Sequence, residues 1–210
     1  MKKTFFDAMG AGVFIGLGCF AFVSVDSRIA GAVFFCLGLY SVLFFGVPLY
    51  TGRCAYALDK DTHQTPKRLL TMFLGNCVGI LLLGLMSLSM KDKALTAASM
   101  FSSKIQKSLI ETLFSSALCG VCVYIATNAW NKINGAERAL GVLLAVPTFI
   151  LAGFEHCIAD VFYMTTYIGV NGFKDILPSL GFIFLATIGN TLGAIIFHNL
   201  LNGFEFSKKA

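Results

Sequence analysis

Gly153-Phe154-Glu155-His156-Cys157-Ile158-Ala159-Asp160 places three ionisable side chains close together inside residues 139–167, a run otherwise apolar enough to cross a membrane. On insertion scales an ionisable group at the centre of a span costs about 2.5–3.5 kcal/mol, so such groups face a protein interior or a water-filled path. The run is longer than the roughly 20 residues that one straight crossing needs, and Gly153 gives it a point at which to break. Non-helical backbone at that depth is tolerated only where protein or a water-lined cavity meets its polar groups. The stretch therefore marks a site in a broken helix.

The same pattern occurs once more. Residues 29–58 form a second overlong run, interrupted by Gly46-Val47-Pro48-Leu49-Tyr50-Thr51-Gly52, where proline removes a backbone donor and the glycines permit a turn. Residues 8–25, 69–90, 109–130 and 180–201 bring the predicted crossings to six. The links are expected to be short and polar, such as residues 59–67, 91–107 and 131–137, so residues 1–210 read as a single transmembrane domain without a linker. Met1-Lys2-Lys3 precedes an apolar run in the manner of a signal peptide, but that run is long, lacks an A-x-A cleavage pattern and is followed by more spans; it reads as the first helix.

Composition agrees. Of the 210 residues 57% are hydrophobic and 13% charged, with a mean hydropathy of +0.79, against about 45–50% apolar and 25% charged in soluble domains. The net charge of +5 comes from Lys and Arg at span ends, where membrane orientation accounts for it, and gives no sign of a nucleic-acid partner. With both termini inside, 10 of the 16 Lys and Arg residues fall on the inner side and 6 on the outer. That bias favours cytoplasmic termini in the cell membrane. The 21 glycines, many within apolar runs, suit a tightly packed bundle. The seven cysteines all lie in or beside apolar segments and read as small hydrophobes, with no disulfide framework, metal site or cofactor implied.

A repeat ties the two breaks together. Gly75-Asn76-Cys77-Val78-Gly79 in the third run and Gly189-Asn190-Thr191-Leu192-Gly193 in the sixth share a G-N-x-x-G pattern 114 residues apart, and Gly46 and Gly153 lie 107 apart. The chain reads as two halves of three spans, about residues 1–90 and 104–203. An odd number of spans inserts the second half upside down, and inverted repeats whose broken helices meet near the midplane are the build of a permeation path.

At Gly153-Phe154-Glu155-His156 the chain resembles the formate/nitrite transporter family, in which a G-F-E-H stretch interrupts the fifth helix, and the resemblance extends over all six spans. Leu49-Tyr50-Thr51-Gly52 is similar to that family's L-F-T-G/S loop, and Asn190 falls on its sixth-helix asparagine. Lys104, ahead of Ile110-Glu111, matches the family lysine that attracts anions, with Lys107 the nearby competitor. The resemblance further implies an outer constriction of Phe35, Val123 and Phe149, an inner one of Leu39, Leu49 and Tyr50, an aquaporin-like fold, and a homopentamer with one pore per subunit. The departures are Pro48 in place of an acidic residue and Gly120 and Asp160 in place of asparagines. Gly120-Val121-Cys122-Val123-Tyr124 is a poor match to the fourth-helix N-x-x-V-C signature. The family's N-terminal cytoplasmic helix, implicated in gating, has almost no counterpart, since the first span begins within ten residues.

The expected activity is passage of a small monovalent weak-acid anion, formate, nitrite or hydrosulfide, rather than enzymatic catalysis; aromatic Phe35, Tyr50 and Phe149 suggest a passage narrow enough to disfavour lactate. A bare charge in an apolar constriction costs several kcal/mol. Lys104 would concentrate the anion, and His156 and Thr51 would line the midpoint where it gains a proton, His156 either relaying that proton or only orienting the permeant. Glu155 is expected to satisfy backbone donors freed by the break. His198 reads as a packing residue and His63 as a loop residue. The alternative is a membrane thiol oxidoreductase using Cys119 and Cys122, a C-x-x-C buried in an apolar span.

Overall fold

The computed structural model describes residues 1–59 and 64–208, and side chains as far as residue 202; His63 lies outside the described residues. Among the described residues all regular structure is helical: α1 (Lys2–Val23), α2 (Arg28–Phe44), α3 (Pro66–Ser87), α4 (Lys91–Lys104), α5 (Leu109–Lys132), α6 (Arg138–Leu151), α7 (Cys157–Asn171) and α8 (Ile176–Lys208), with single 3-10 turns at Tyr50–Gly52, Cys54–Tyr56 and Phe173–Asp175. Side-chain oxygens start several of them. Ser27 accepts from the Ala30 N–H, Thr65 from Arg68 ahead of Pro66, and Ser108 from Glu111, each satisfying a donor that the first turn leaves orphaned.

Among the described residues four helices are long and apolar enough to cross a membrane, namely α1, α3, α5 and the stretch Phe173–Asn202 that contains most of α8; α2 and α6 are shorter apolar helices. The long helices pack in pairs whose backbones touch. A Cβ on Gly12 would lie 2.1 Å from the Asn76 carbonyl oxygen and one on Gly79 2.0 Å from that of Met9, which brings α1 against α3. Gly120 and Gly193 stand in the same relation to the carbonyls of Asn190 and Ala117, at 2.1 and 2.0 Å, and bring α5 against α8. Small residues at a crossing are what permit such approach.

Both breaks close in one way. After α2 the Val47 N–H bonds back to Val42 and Gly46 adopts φ +66°; after α6 the Phe154 N–H bonds back to Phe149 and Gly153 adopts φ +72°. This six-to-one closure over a left-handed glycine is the Schellman cap, and its two copies lie 107 residues apart. Beyond the second break the chain resumes as α7; beyond the first it makes the two 3-10 turns at Tyr50–Gly52 and Cys54–Tyr56.

Residues 91–107, read from their charges as a polar link, are mostly helix. α4 buries Ala94, Ala97, Ala98 and Phe101, with the Phe101 ring edge-on to Phe182 at 5.7 Å and tilted on Tyr167 at 5.6 Å. A stripe of alanines with one large anchor is too weakly apolar to register as a span, yet it seats a helix on α7.

Candidate functional site

α4 ends at Lys104, and the turn after it carries Lys107, so both ammonium groups reach the start of α7. There they meet Glu155, which is fully buried: Lys104 Nζ donates to Oε2, and Lys107 Nζ donates to Oε1 at 2.6 Å and to the Gly153 carbonyl at 3.0 Å. Lys104 Nζ also lies 3.0 Å from Oδ1 of buried Asp160. Arg28 at the start of α2 donates to the Ile150 and Leu151 carbonyls at 3.4 and 3.3 Å, covering the end of α6. These groups line a vestibule of about 360 Å³ with Phe35, Phe149, His156 and Tyr163. The expectation for Glu155 is corrected here. The freed donors of the break go elsewhere, to Asn190 and to His156, and the carboxylate is left for the two lysines.

Asn190 sits behind the break. Its Oδ1 accepts from the Cys157 N–H at 2.9 Å, and its Nδ2 donates to the Ser116 and Glu155 carbonyls, both at 2.7 Å. Asn76 makes the same three bonds at the first break: Oδ1 accepts from the Tyr50 N–H at 2.8 Å, and Nδ2 donates to the Ala8 and Pro48 carbonyls at 2.8 and 3.0 Å. Each asparagine stitches a break to the flanking helices with both amide hydrogens and the carbonyl oxygen. Asn76 was visible in the sequence only as half of the repeat, with no role attached.

His156 caps α7. Its Nδ1 accepts from the Ala159 N–H at 3.1 Å, so that nitrogen carries no proton and Nε2 carries the hydrogen, 3.1 Å from Thr51 Oγ1. Both groups are buried, and the imidazole stacks on Phe149 with centroids 5.8 Å apart. The bond joins the second break to the first. On the far side lies a pocket of about 90 Å³ lined by Leu39, Leu49, Gly52, Arg53, Thr127 and Trp130 among others. Phe35 in the vestibule and Leu39 in this pocket are one turn apart on α2, about 6 Å at 1.5 Å per residue. Phe35 and Phe149 meet edge to face at 6.1 Å. Val123, one turn before Thr127, is buried in the core beside them and lines neither cavity.

Tyr50 is not where the inner constriction was expected. Its hydroxyl bonds to Thr191 Oγ1 at 2.7 Å and its ring packs edge-on to Phe73 at 5.3 Å, in an apolar groove between α3 and α8. The phenol departs from the family's bare phenyl, and a hydroxyl inside an apolar bundle turns toward the partner available to it. Arg53, which reasoning from sequence passed over, stands at the far pocket instead. Cys119 is buried and Cys122 half-buried, both as free thiols in α5. His198 is a packing residue as expected, bonded to Tyr124 at 3.0 Å and to Asp59 at 3.0 Å.

Compared with known proteins, residues 1–204 match the sequence profile described as formate/nitrite transporter. The chain belongs to the formate/nitrite transporter family. Among family relatives it is 25% identical over 197 residues to "Formate channel FocA" of Escherichia coli (strain K12), covering 82% of this chain and 69% of that one. It is 24% identical over 212 residues to "Nitrite transporter NirC" of the same organism, covering 90% and 78%. The fold is that of the solved "Pentameric formate channel with formate bound", with a TM-score of 0.84 at 20% identity over 98% of this chain and 97% of that one. "FNT family ion channel" gives 0.83 at 22% identity over 98% and 90%. Membership of a transporter family, with these apolar helices, makes the chain a multi-pass membrane protein of the anion channel and transporter kind, and no enzyme. The thiol oxidoreductase alternative finds no support among the relatives.

Proposed function

We propose that this family member passes small monovalent weak-acid anions, formate or nitrite and with them hydrosulfide, through one pore in each subunit of a homopentamer in the cell membrane. The observation that carries this is the Thr51–His156 hydrogen bond, which joins the two helix breaks between the charged vestibule and the apolar pocket beyond.

The chain's own residues supply each part. Lys104 and Lys107 give the vestibule the cations that gather an anion. Phe35 and Phe149 form an apolar neck that a bare anion crosses only at a cost of several kcal/mol, so the permeant crosses as the neutral acid or together with a proton. Nε2–H of His156 and the Thr51 hydroxyl exchange their mutual bond for bonds to the permeant. His156 then acts as an orienting donor, because protonating Nδ1 would break its cap on α7. Leu39 and Leu49 line the exit.

The same reading takes the fold as six crossings in two inverted three-span repeats, aquaporin-like, with both termini cytoplasmic. It is supported by the paired Schellman caps and paired asparagine stitches, and by the opposed starts of α1 and α5. Thr4 and Asp7 of α1 line a pocket with Arg53, away from the vestibule that Lys107 enters just ahead of α5.

The test is flux. Purified protein in proteoliposomes with an internal pH dye is given inward gradients of formate, nitrite, hydrosulfide and lactate in turn, with protein-free liposomes subtracted. Protein-dependent flux accompanied by proton movement is expected for one or two of the first three. No excess for any of the four, with the protein verified as folded, would sink the reading.

A further inference from the structure

The vestibule contains a carboxylate that this passage leaves without a task. Asp160 lies in the first turn of α7, is fully buried, and lines the same cavity as Lys104 and His156. Both oxygens of Glu155 receive lysine hydrogen bonds. Asp160 has Lys104 Nζ 3.0 Å from Oδ1 as an ion-pair contact, yet among the described residues neither of its oxygens is met by a donor in good hydrogen-bond geometry. Of the two carboxylates it is the one whose charge is less compensated.

Its surroundings limit what it can do. The charged groups around it are Lys104 at the end of α4, Lys107 in the following turn and Glu155 ahead of α7, while Arg28 of α2 lines the same cavity. His156 ahead of α7 is uncharged as hydrogen-bonded, and the remaining titratable neighbours are Cys19 on α1, Cys119 on α5, and Cys157 and Tyr163 on α7. With Lys104, Lys107, Glu155 and Asp160 all ionised, the cluster is neutral. An anion arriving at Lys104 then sets a further negative charge beside Asp160, competing for one ammonium.

We propose that Asp160 exchanges protons with the permeating anion. One proton and one anion enter together: the proton neutralises the Asp160 carboxylate, and the anion takes the place on Lys104 that the carboxylate gives up. The O–H bond on Asp160 then breaks as an O–H bond forms on the anion. The products are the neutral weak acid, which goes on to Phe35 and Phe149, and an Asp160 carboxylate that returns to Lys104. No electrons change hands, and each cycle consumes one proton and one anion. A side-chain carboxyl and formic acid are acids of similar strength, which keeps the transfer near balance, as proton exchange requires.

This rests on the anion-passage reading, and the test separates the two. Wild type and D160N are reconstituted, and initial formate uptake is measured against formate concentration at external pH of about 6, 7 and 8. The ratio of half-saturating concentrations, wild type over D160N, cancels formate's own protonation. It is expected to rise by up to about tenfold per pH unit, the slope of one linked proton. A ratio independent of pH overturns the proposal and leaves anion passage standing; absence of flux in the wild type overturns both. A measurement on the wild type alone covers the case in which D160N does not fold. Infrared difference spectra on adding formate are expected to show a protonated side-chain carboxyl band that does not move when carbon-13 formate is substituted, and no such band overturns the proposal.

Discussion

At the residue scale the centre of the protein is a histidine whose two nitrogens have separate tasks. Nδ1 accepts a hydrogen bond from the Ala159 N–H, and Nε2–H faces the Thr51 hydroxyl. His156→Ala removes both. Formate flux in proteoliposomes is expected to fall by about a hundredfold or more, as when a positioned donor is lost from a site; unchanged rate and unchanged pH dependence would remove His156 from the path. Asn190→Ala is a structural counterpart. It leaves the Cys157 N–H and the Ser116 and Glu155 carbonyls without their side-chain partner, at about 1–3 kcal/mol for each buried group orphaned. A fall in the thermal unfolding midpoint in detergent is expected, larger than that for Asn190→Asp, which keeps an acceptor for Cys157. Glu155, His156 and Asn190 stood out as candidates in the sequence because charge, imidazole or amide at membrane depth is conspicuous, and Thr51 through its place in the facing break, but the lysine partners of Glu155 were not legible. Tyr50 was misplaced because its backbone position says nothing of which way a phenol turns, and that depended on Thr191, 141 residues away.

At the scale of elements, the touching backbones of α5 and α8 make glycine obligatory at some positions and idle at others. A Cβ at Gly193 would lie 2.0 Å from the Ala117 carbonyl oxygen, whereas one at Gly181, in the same helix, meets nothing within 4 Å. Gly193→Ala is therefore expected to lower the unfolding midpoint or abolish the folded protein. Gly181→Ala should leave it unchanged or raise it, since alanine is favoured over glycine in a helix interior by about 1 kcal/mol. A similar midpoint for both variants would contradict the close crossing. The two breaks could be read from sequence because glycine and proline punctuate an apolar run. α4 could not, since four small or aromatic residues on one face of an otherwise polar segment resemble a loop until α7 is there to receive them.

At the scale of the whole molecule, the apolar helix faces left exposed on one chain have to meet lipid or other copies. Native mass spectrometry from mild detergent is expected to give five times the 22.7 kDa chain; a monomer that retains flux would overturn the pentamer. Replacing Cys119 and Cys122 together by alanine should leave flux within about twofold. The asparagine stitches also govern the order in which this architecture can be made. Asn76 lies 26 residues after the Tyr50 it secures, and Asn190 lies 33 after Cys157. Ribosomes add about 5–20 residues per second, so each kinked segment reaches the translocon on the order of seconds before its fastener does. During that delay the bare peptide groups have no lasting partner in lipid. Each broken segment therefore depends on shelter from lipid until the helix that carries its asparagine arrives, α3 for the first break and α8 for the second.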